Sequence, residues 1–158
     1  MTLLPRLLIA GLLSCAAVPA FAVEVTKSIE VAAPPAATWA AIGKFCGIGL
    51  WHPAVQTCTL GMKPGHQLRT LALKGGGTIL EEETARNEAA MSYSYIILES
   101  PLPVADYKST ITVKPHGAGS TIVWNGDFKA KDAPDAKAAE VIGGIYTAGL
   151  DALKAKLK

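Results

Sequence analysis

The sequence predicts an α+β domain in which a curved antiparallel sheet of about seven strands is covered by a long C-terminal helix. Three observations predict it. The chain opens on a period-two segment. It then runs, after a short helical stretch, through a succession of extended segments separated by brief turn signals. At its end the apolar period lengthens to three or four residues over a long stretch. Strands grouped together and followed by a helix mark α+β rather than alternating βα units.

In chain order, the first strand covers residues 23–31, where Val23, Val25, Ile29 and Val31 alternate with Glu24, Thr26, Ser28 and Glu30. Pro34-Pro35 interrupts it, and residues 36–45 place Trp39, Ile42 and Phe45 on one helical face, with Pro35 acceptable in the first turn. Gly47, Gly49 and Pro53 impose a tight turn or a second short helix before residues 54–60 become extended. A meander follows over residues 66–73, 78–86, 91–99, 107–114 and 120–129. Its turns fall at Lys74-Gly75-Gly76-Gly77, Asn87-Glu88 and Pro115-His116-Gly117-Ala118-Gly119. Beyond Pro134, Ala138, Ile142, Ile145, Gly149, Leu153 and Lys156 recur at helical spacing, with Asp132 or Asp135 as the expected cap.

The N-terminal 22 residues read as a secretory signal. Arg6 precedes an apolar run over 7–13, and Ala20-Phe21-Ala22 supplies small residues for cleavage after Ala22. Pro5 and Pro19 bracket a stretch shorter than the roughly 20 residues a spanning helix needs. The working domain would then be residues 23–158, periplasmic or secreted, with no transmembrane segment. Lipidation of Cys15 in Leu12-Leu13-Ser14-Cys15 is the alternative at this end. The formal net charge is +2 and the lysines are scattered, which argues against a nucleic-acid partner. Cys46 and Cys58 remain after processing, and an oxidising compartment favours a structural disulfide between them. His52, His66 and His116 lack paired ligand spacing, so neither a metal nor another cofactor is expected.

Strand parity sorts the side chains, because successive residues point to opposite faces. Tyr107, Ser109, Ile111 and Val113 face inward against outward Lys108, Thr110, Thr112 and Lys114. Trp124, Gly126 and Phe128 share a face, as do Tyr93, Tyr95 and Ile97. A hairpin symmetric about Gly75 sets Leu71 opposite Ile79 and Arg69 opposite Glu81, and a tight turn at Asn87-Glu88 brings Tyr95 near Glu81. Arg69 and Glu81 should therefore hold each other or a ligand, since a lone buried charge is expensive. A solvated pair on the outer face is the alternative.

The run Phe45-Cys46-Gly47-Ile48-Gly49-Leu50-Trp51-His52-Pro53, followed by Cys58, Gly65-x-x-x-Arg69, Glu81 and Tyr93-x-Tyr95, resembles the polyketide cyclase/dehydrase branch of the START-like, helix-grip superfamily. Leu102-Pro103-Val104-x-x-Tyr107-x-Ser109 and Trp124-x-Gly126-x-Phe128 extend the resemblance over essentially all of residues 23–158, and it looks most like exported bacterial members. It implies a sheet gripping the last helix around a cavity. By similarity to the plant abscisic acid receptors, His52 stands where those proteins carry a pocket lysine, and Arg69, Glu81, Tyr107 and Ser109 fall on pocket-facing positions. A neutral imidazole would not hold a carboxylate ligand as a lysine does. The glycine-rich segment 73–77 lacks the receptors' proline, so no hormone-type latch is implied.

The leading functional expectation is an exported protein that binds an apolar or lipid-like small molecule. Its candidate site comprises Trp51, His52, Arg69, Glu81, Tyr95, Tyr107, Ser109, Trp124, Phe128, Ile142 and Tyr146, with Ile79 and Ile111 beside them. One alternative is a cyclase/dehydrase-like enzyme, with Glu81 or His52 as base and Arg69 or Tyr107 stabilising an enolate-like charge. Another is an accessory factor with an envelope protein partner, as the resemblance to factors of bacterial methanol oxidation implies.

Overall fold

A computed structural model describes residues 22–158. The leader expected over residues 1–22, and Cys15 within it, lie outside the described residues except for Ala22. Strand β1 (Val23–Val31) leads to helix α1 (Pro35–Ile42), a 3₁₀ turn (Phe45–Gly47) and the single-turn helix α2 (Ile48–Trp51). Strands β2 (Val55–Lys63), β3 (His66–Leu73), β4 (Thr78–Asn87), β5 (Ser92–Glu99), β6 (Val104–His116) and β7 (Gly119–Ala130) follow, and α3 (Asp135–Lys156) closes the chain. The sheet is antiparallel throughout, in the order β1-β7-β6-β5-β4-β3-β2, and its concave face is covered by α3 and by the short helices. This is the helix-grip, START-like fold.

Some boundaries differ from the sequence reading. Helix α1 stops at Ile42 because the chain turns at Gly43, so Phe45 enters the core from the 3₁₀ turn rather than from a continuous helix. Thr38 and Ile42 are the buried residues of α1, and Thr38 joins Ser120 and the Ala33 carbonyl in a hydrogen-bonded cluster that pins the helix to β7. Neither expected aspartate caps α3. Pro134 holds the N-cap position, Asp135 lies in the first turn where its charge still favours the helix dipole, and Asp132 adopts φ 56° in the preceding turn.

The inward parities of β5, β6 and β7 hold: Tyr93, Tyr95, Tyr107, Ser109, Ile111, Val113, Trp124 and Phe128 are all buried. So does the β3–β4 register, with Leu71 opposite Ile79 and Arg69 opposite Glu81. The β4–β5 register does not. Irregularities between Leu80 and Glu81 and between Glu83 and Ala85 set Tyr95 opposite Glu83, and Glu81 opposite Ile97. Bulges of this kind carry one extra residue and shift every later pairing. Among the described residues no helix is long and apolar enough to cross a membrane.

Candidate functional site

The 3₁₀ turn and α2 pack against β2, and α2 also meets α3. A disulfide joins Cys46 to Cys58, with Cα atoms 5.6 Å apart, and ties the 3₁₀ turn to β2. Closing so short a loop contributes about 3 kcal/mol in the chain-entropy account. The bridge also fixes the approach to Trp51 and His52, both buried. Trp51 packs edge-on against Trp124 with centroids 5.7 Å apart, and Trp124 stacks on Tyr146 of α3 at 4.4 Å.

His52 is a tie between elements. Its Nε2–H donates to the Ile145 carbonyl at 3.0 Å, and its Nδ1 accepts the Ala54 N–H at 3.2 Å. One neutral tautomer satisfies both bonds. Burial holds the imidazole below its ordinary value; the Ile145 bond opposes that, and the Arg69 charge adds to it.

Arg69 and Glu81 form a buried ion pair. The Arg69 Nε–H bonds Glu81 Oε2, its Nη1 donates to the Phe45 carbonyl, and its guanidinium lies 4.1 Å from the Phe45 ring centroid and 4.8 Å from that of Tyr95. Burial opposes the charge on Arg69, but the Glu81 carboxylate, with smaller contributions from the Tyr93 and Tyr95 phenol groups, lifts it above its ordinary value. Burial raises the Glu81 carboxyl above its ordinary value, and Arg69 offsets only part of that rise. The guanidinium is thus fixed as a cation with its carboxylate beside it.

Between this pair, the aromatic cluster and α3 lies a cavity of ≈ 90 Å³. Glu81, Tyr95, Tyr107, Tyr146, His52 and Trp124 are the polar or aromatic residues among its lining. Ile48, Val55, Leu71, Ile79 and Ile142 form apolar walls. Half-buried Leu73, Ile97, Leu102 and Ile145, with exposed Ala54, mark the side that approaches solvent. A larger depression of ≈ 940 Å³ crosses the outer ends of β5, β6 and β7 by Leu98, Asp106, Lys108 and Lys129, but it is open and bordered by exposed charged side chains.

Of the residues expected at the site, His52, Glu81, Tyr95, Tyr107, Trp124, Ile142 and Tyr146 line the cavity. The other four do not. Arg69 stands behind Glu81, Trp51 behind Trp124, and Phe128 stacks on the far side of Tyr107 at 6.0 Å. Ser109 is screened by Tyr146, whose hydroxyl it meets at 3.2 Å. These four buttress the lining side chains. The aliphatic walls were missed except for Ile79 and Ile142. Leu71 could have been found from its register opposite Ile79, and Ile145 from its place three residues after Ile142.

The hydroxyls form a directed chain. Ser109 Oγ–H donates to the Asn125 carbonyl at 2.7 Å, so in its contact with Tyr146 it must accept. Tyr146 then accepts from Tyr107 at 2.5 Å. The Trp124 Nε1–H is shared between Ser109 Oγ and Tyr95 Oη, each at 3.0 Å. Burial raises all three phenols, Tyr146 to about 12 and Tyr95 and Tyr107 well above their ordinary value, so they remain protonated donors.

The model of a family described as polyketide cyclase / dehydrase and lipid transport matches residues 22–158. The structure is similar to that of XoxI from Bacillus cereus, 33% identical with a TM-score of 0.80 over 85% of this chain and 94% of that one. It is also similar to the Zhui aromatase/cyclase from Streptomyces sp. R1128, 18% identical with a TM-score of 0.72 over 87% and 94%. A START superfamily protein from Mycobacterium smegmatis is 15% identical with a TM-score of 0.71 over 85% and 96%. At their lower identities the last two speak to the fold alone. No curated protein matches the sequence.

Proposed function

The chain belongs to the polyketide cyclase/dehydrase and lipid transport family, and from that premise we propose that it is a binding protein for a compact, apolar small molecule held in the cavity between sheet and α3. The observation that carries this reading is the cavity itself, an apolar space of ≈ 90 Å³ with a buried carboxylate and buried phenols at its wall. Sites for drug-sized ligands enclose about 300–1,000 Å³. The space therefore suits a molecule of a few non-hydrogen atoms, and a lipid-like chain would require Leu73 and Leu102 to part.

Binding is favoured over chemistry by the way the polar groups are used. Of the set Glu81, His52 and Arg69 expected for an enzyme, His52 has both nitrogens engaged and Arg69 does not reach the cavity. Glu81 is then the one member of the set left to act on a ligand, and it is paired with Arg69. We place the working domain outside the cytoplasm, a reading supported by the leader-like segment 1–22 and by the Cys46–Cys58 bridge.

The test is gas chromatography–mass spectrometry of molecules released when the protein, purified from the cell envelope, is heat-denatured. A compact molecule should be recovered in proportion to the wild type and be lost from a cavity-filling Ile79→Phe variant that retains its fold. Equal recovery from both proteins, or none from either, would overturn the proposal.

A further inference from the structure

The cavity wall presents one unused acceptor and one unused donor. Glu81 is buried and lines the cavity, yet the hydrogen bond it takes among the described residues falls on Oε2, leaving Oε1 without a described donor. Tyr95 is equally buried, and its Oη accepts from Trp124 while its own proton reaches no described acceptor. The other polar groups are committed. Tyr107 donates to Tyr146, Tyr146 to Ser109, and His52 uses both ring nitrogens. A ligand that meets these two free bonding positions gains their hydrogen bonds in a site largely shielded from water. The Glu81 carboxylate is also the second cause, after burial, of the raised Tyr95 phenol, so the two groups act on one another.

Charge narrows the class further. Arg69 already neutralises Glu81, and His52 is neutral. An ammonium ligand would bring an uncompensated cation toward Arg69, and a carboxylate would meet the Glu81 oxygen with no free cation on the cavity wall. Either charge would be desolvated without a partner.

We propose that the cavity selects a compact, uncharged molecule bearing a hydroxyl group, which donates its proton to Glu81 Oε1 and accepts the proton of Tyr95 Oη. A hydroxyl meets both needs with a single oxygen. For size, a cavity of about 150 Å³ holds benzene, so a space of ≈ 90 Å³ encloses roughly four non-hydrogen atoms and leaves the end of a slightly longer chain at the mouth. This inference rests on the binding function proposed above.

The experiment is a ¹H–¹⁵N NMR titration of the folded protein with near-isosteric probes: butan-1-ol, methyl propyl ether, butylammonium and butyrate. Butan-1-ol should shift the amides of Glu81, Tyr95 and Ile142 and bind roughly 3- to 10-fold more tightly than the ether, the range one net hydrogen bond supports. Butylammonium and butyrate should bind more weakly than either. In Tyr95→Phe, where Trp124 keeps Ser109 as acceptor, affinity for butan-1-ol should fall by a similar factor. Equal binding of alcohol and ether, or preference for a charged probe, would overturn the hydroxyl assignment while leaving cavity binding intact. Failure of both the alcohol and the ether to shift cavity amides would overturn the two together.

Discussion

Arg69 and Glu81 stand directly opposite each other in the β3–β4 ladder and pair with side-chain exposures of 0% and 6%. Removing one partner strands the other in the core. Glu81→Leu should destabilise the protein by about 3–5 kcal/mol, because an unpaired buried charge is left behind. Replacing both, as Arg69→Met with Glu81→Leu, should recover most of that loss and leave a deficit of about 1–3 kcal/mol from the Phe45 carbonyl that Arg69 no longer satisfies. Chemical denaturation of the two single variants and the double variant measures the coupling.

Two buried tyrosines should answer differently to loss of their hydroxyls. Tyr93 Oη meets no partner in good hydrogen-bond geometry among the described residues and has only the Arg69 guanidinium acting on it, whereas Tyr146 Oη sits between Tyr107 and Ser109. Tyr93→Phe should therefore cost less than Tyr146→Phe, which should lose about 1–3 kcal/mol by leaving its partners unmet. Thermal unfolding of the pair of variants reads the contrast.

Close approach to α3 makes two glycines sensitive. A Cβ on Gly126 would overlap the Tyr146 hydroxyl, and one on Gly149 would lie 2.7 Å from the His52 ring and 2.9 Å from Trp124. Gly149→Ala would gain about 1 kcal/mol in helix propensity, but these ring atoms are packed on all sides, so overpacking by about 1–3 kcal/mol should win. Both variants should therefore unfold at lower denaturant concentration than the wild type.

Acid should weaken the fold through His52. Its pKa is lowered in the folded state by burial, so below the unfolded value of about 6.5 the unfolded chain binds the proton and the native chain resists it. Stability is thus fully present above that pH, falls as the pH drops below it, and levels off below the folded-state pKa. In His52→Gln this part of the loss should disappear, which denaturation midpoints between pH 7 and pH 5 would register.

The strand faces and the β3–β4 register were legible because they depend on local quantities: alternation along a strand, and a short glycine hairpin that mirrors Leu71 onto Ile79 and Arg69 onto Glu81. The β4–β5 register was not, since the irregularities beside Glu81 and Glu83 leave no turn signal in that stretch. The cavity was only partly legible for a similar reason. Parity tells which residues point inward, but not which inward residues stand in front. Arg69, Trp51, Ser109 and Phe128 have the correct face and are screened by Glu81, Trp124, Tyr146 and Tyr107. The bonds of His52 were equally hidden, because one partner is a backbone carbonyl of α3, 93 residues away.

The account turns on an accessible apolar cavity between Ile79, Tyr95 and Ile142. Xenon occupies spaces of this kind, as it does engineered apolar cavities. A crystal pressurised with xenon should show an atom bound among those three side chains, and the site should vanish in Ile79→Phe; a wild-type crystal with no xenon there would contradict the account.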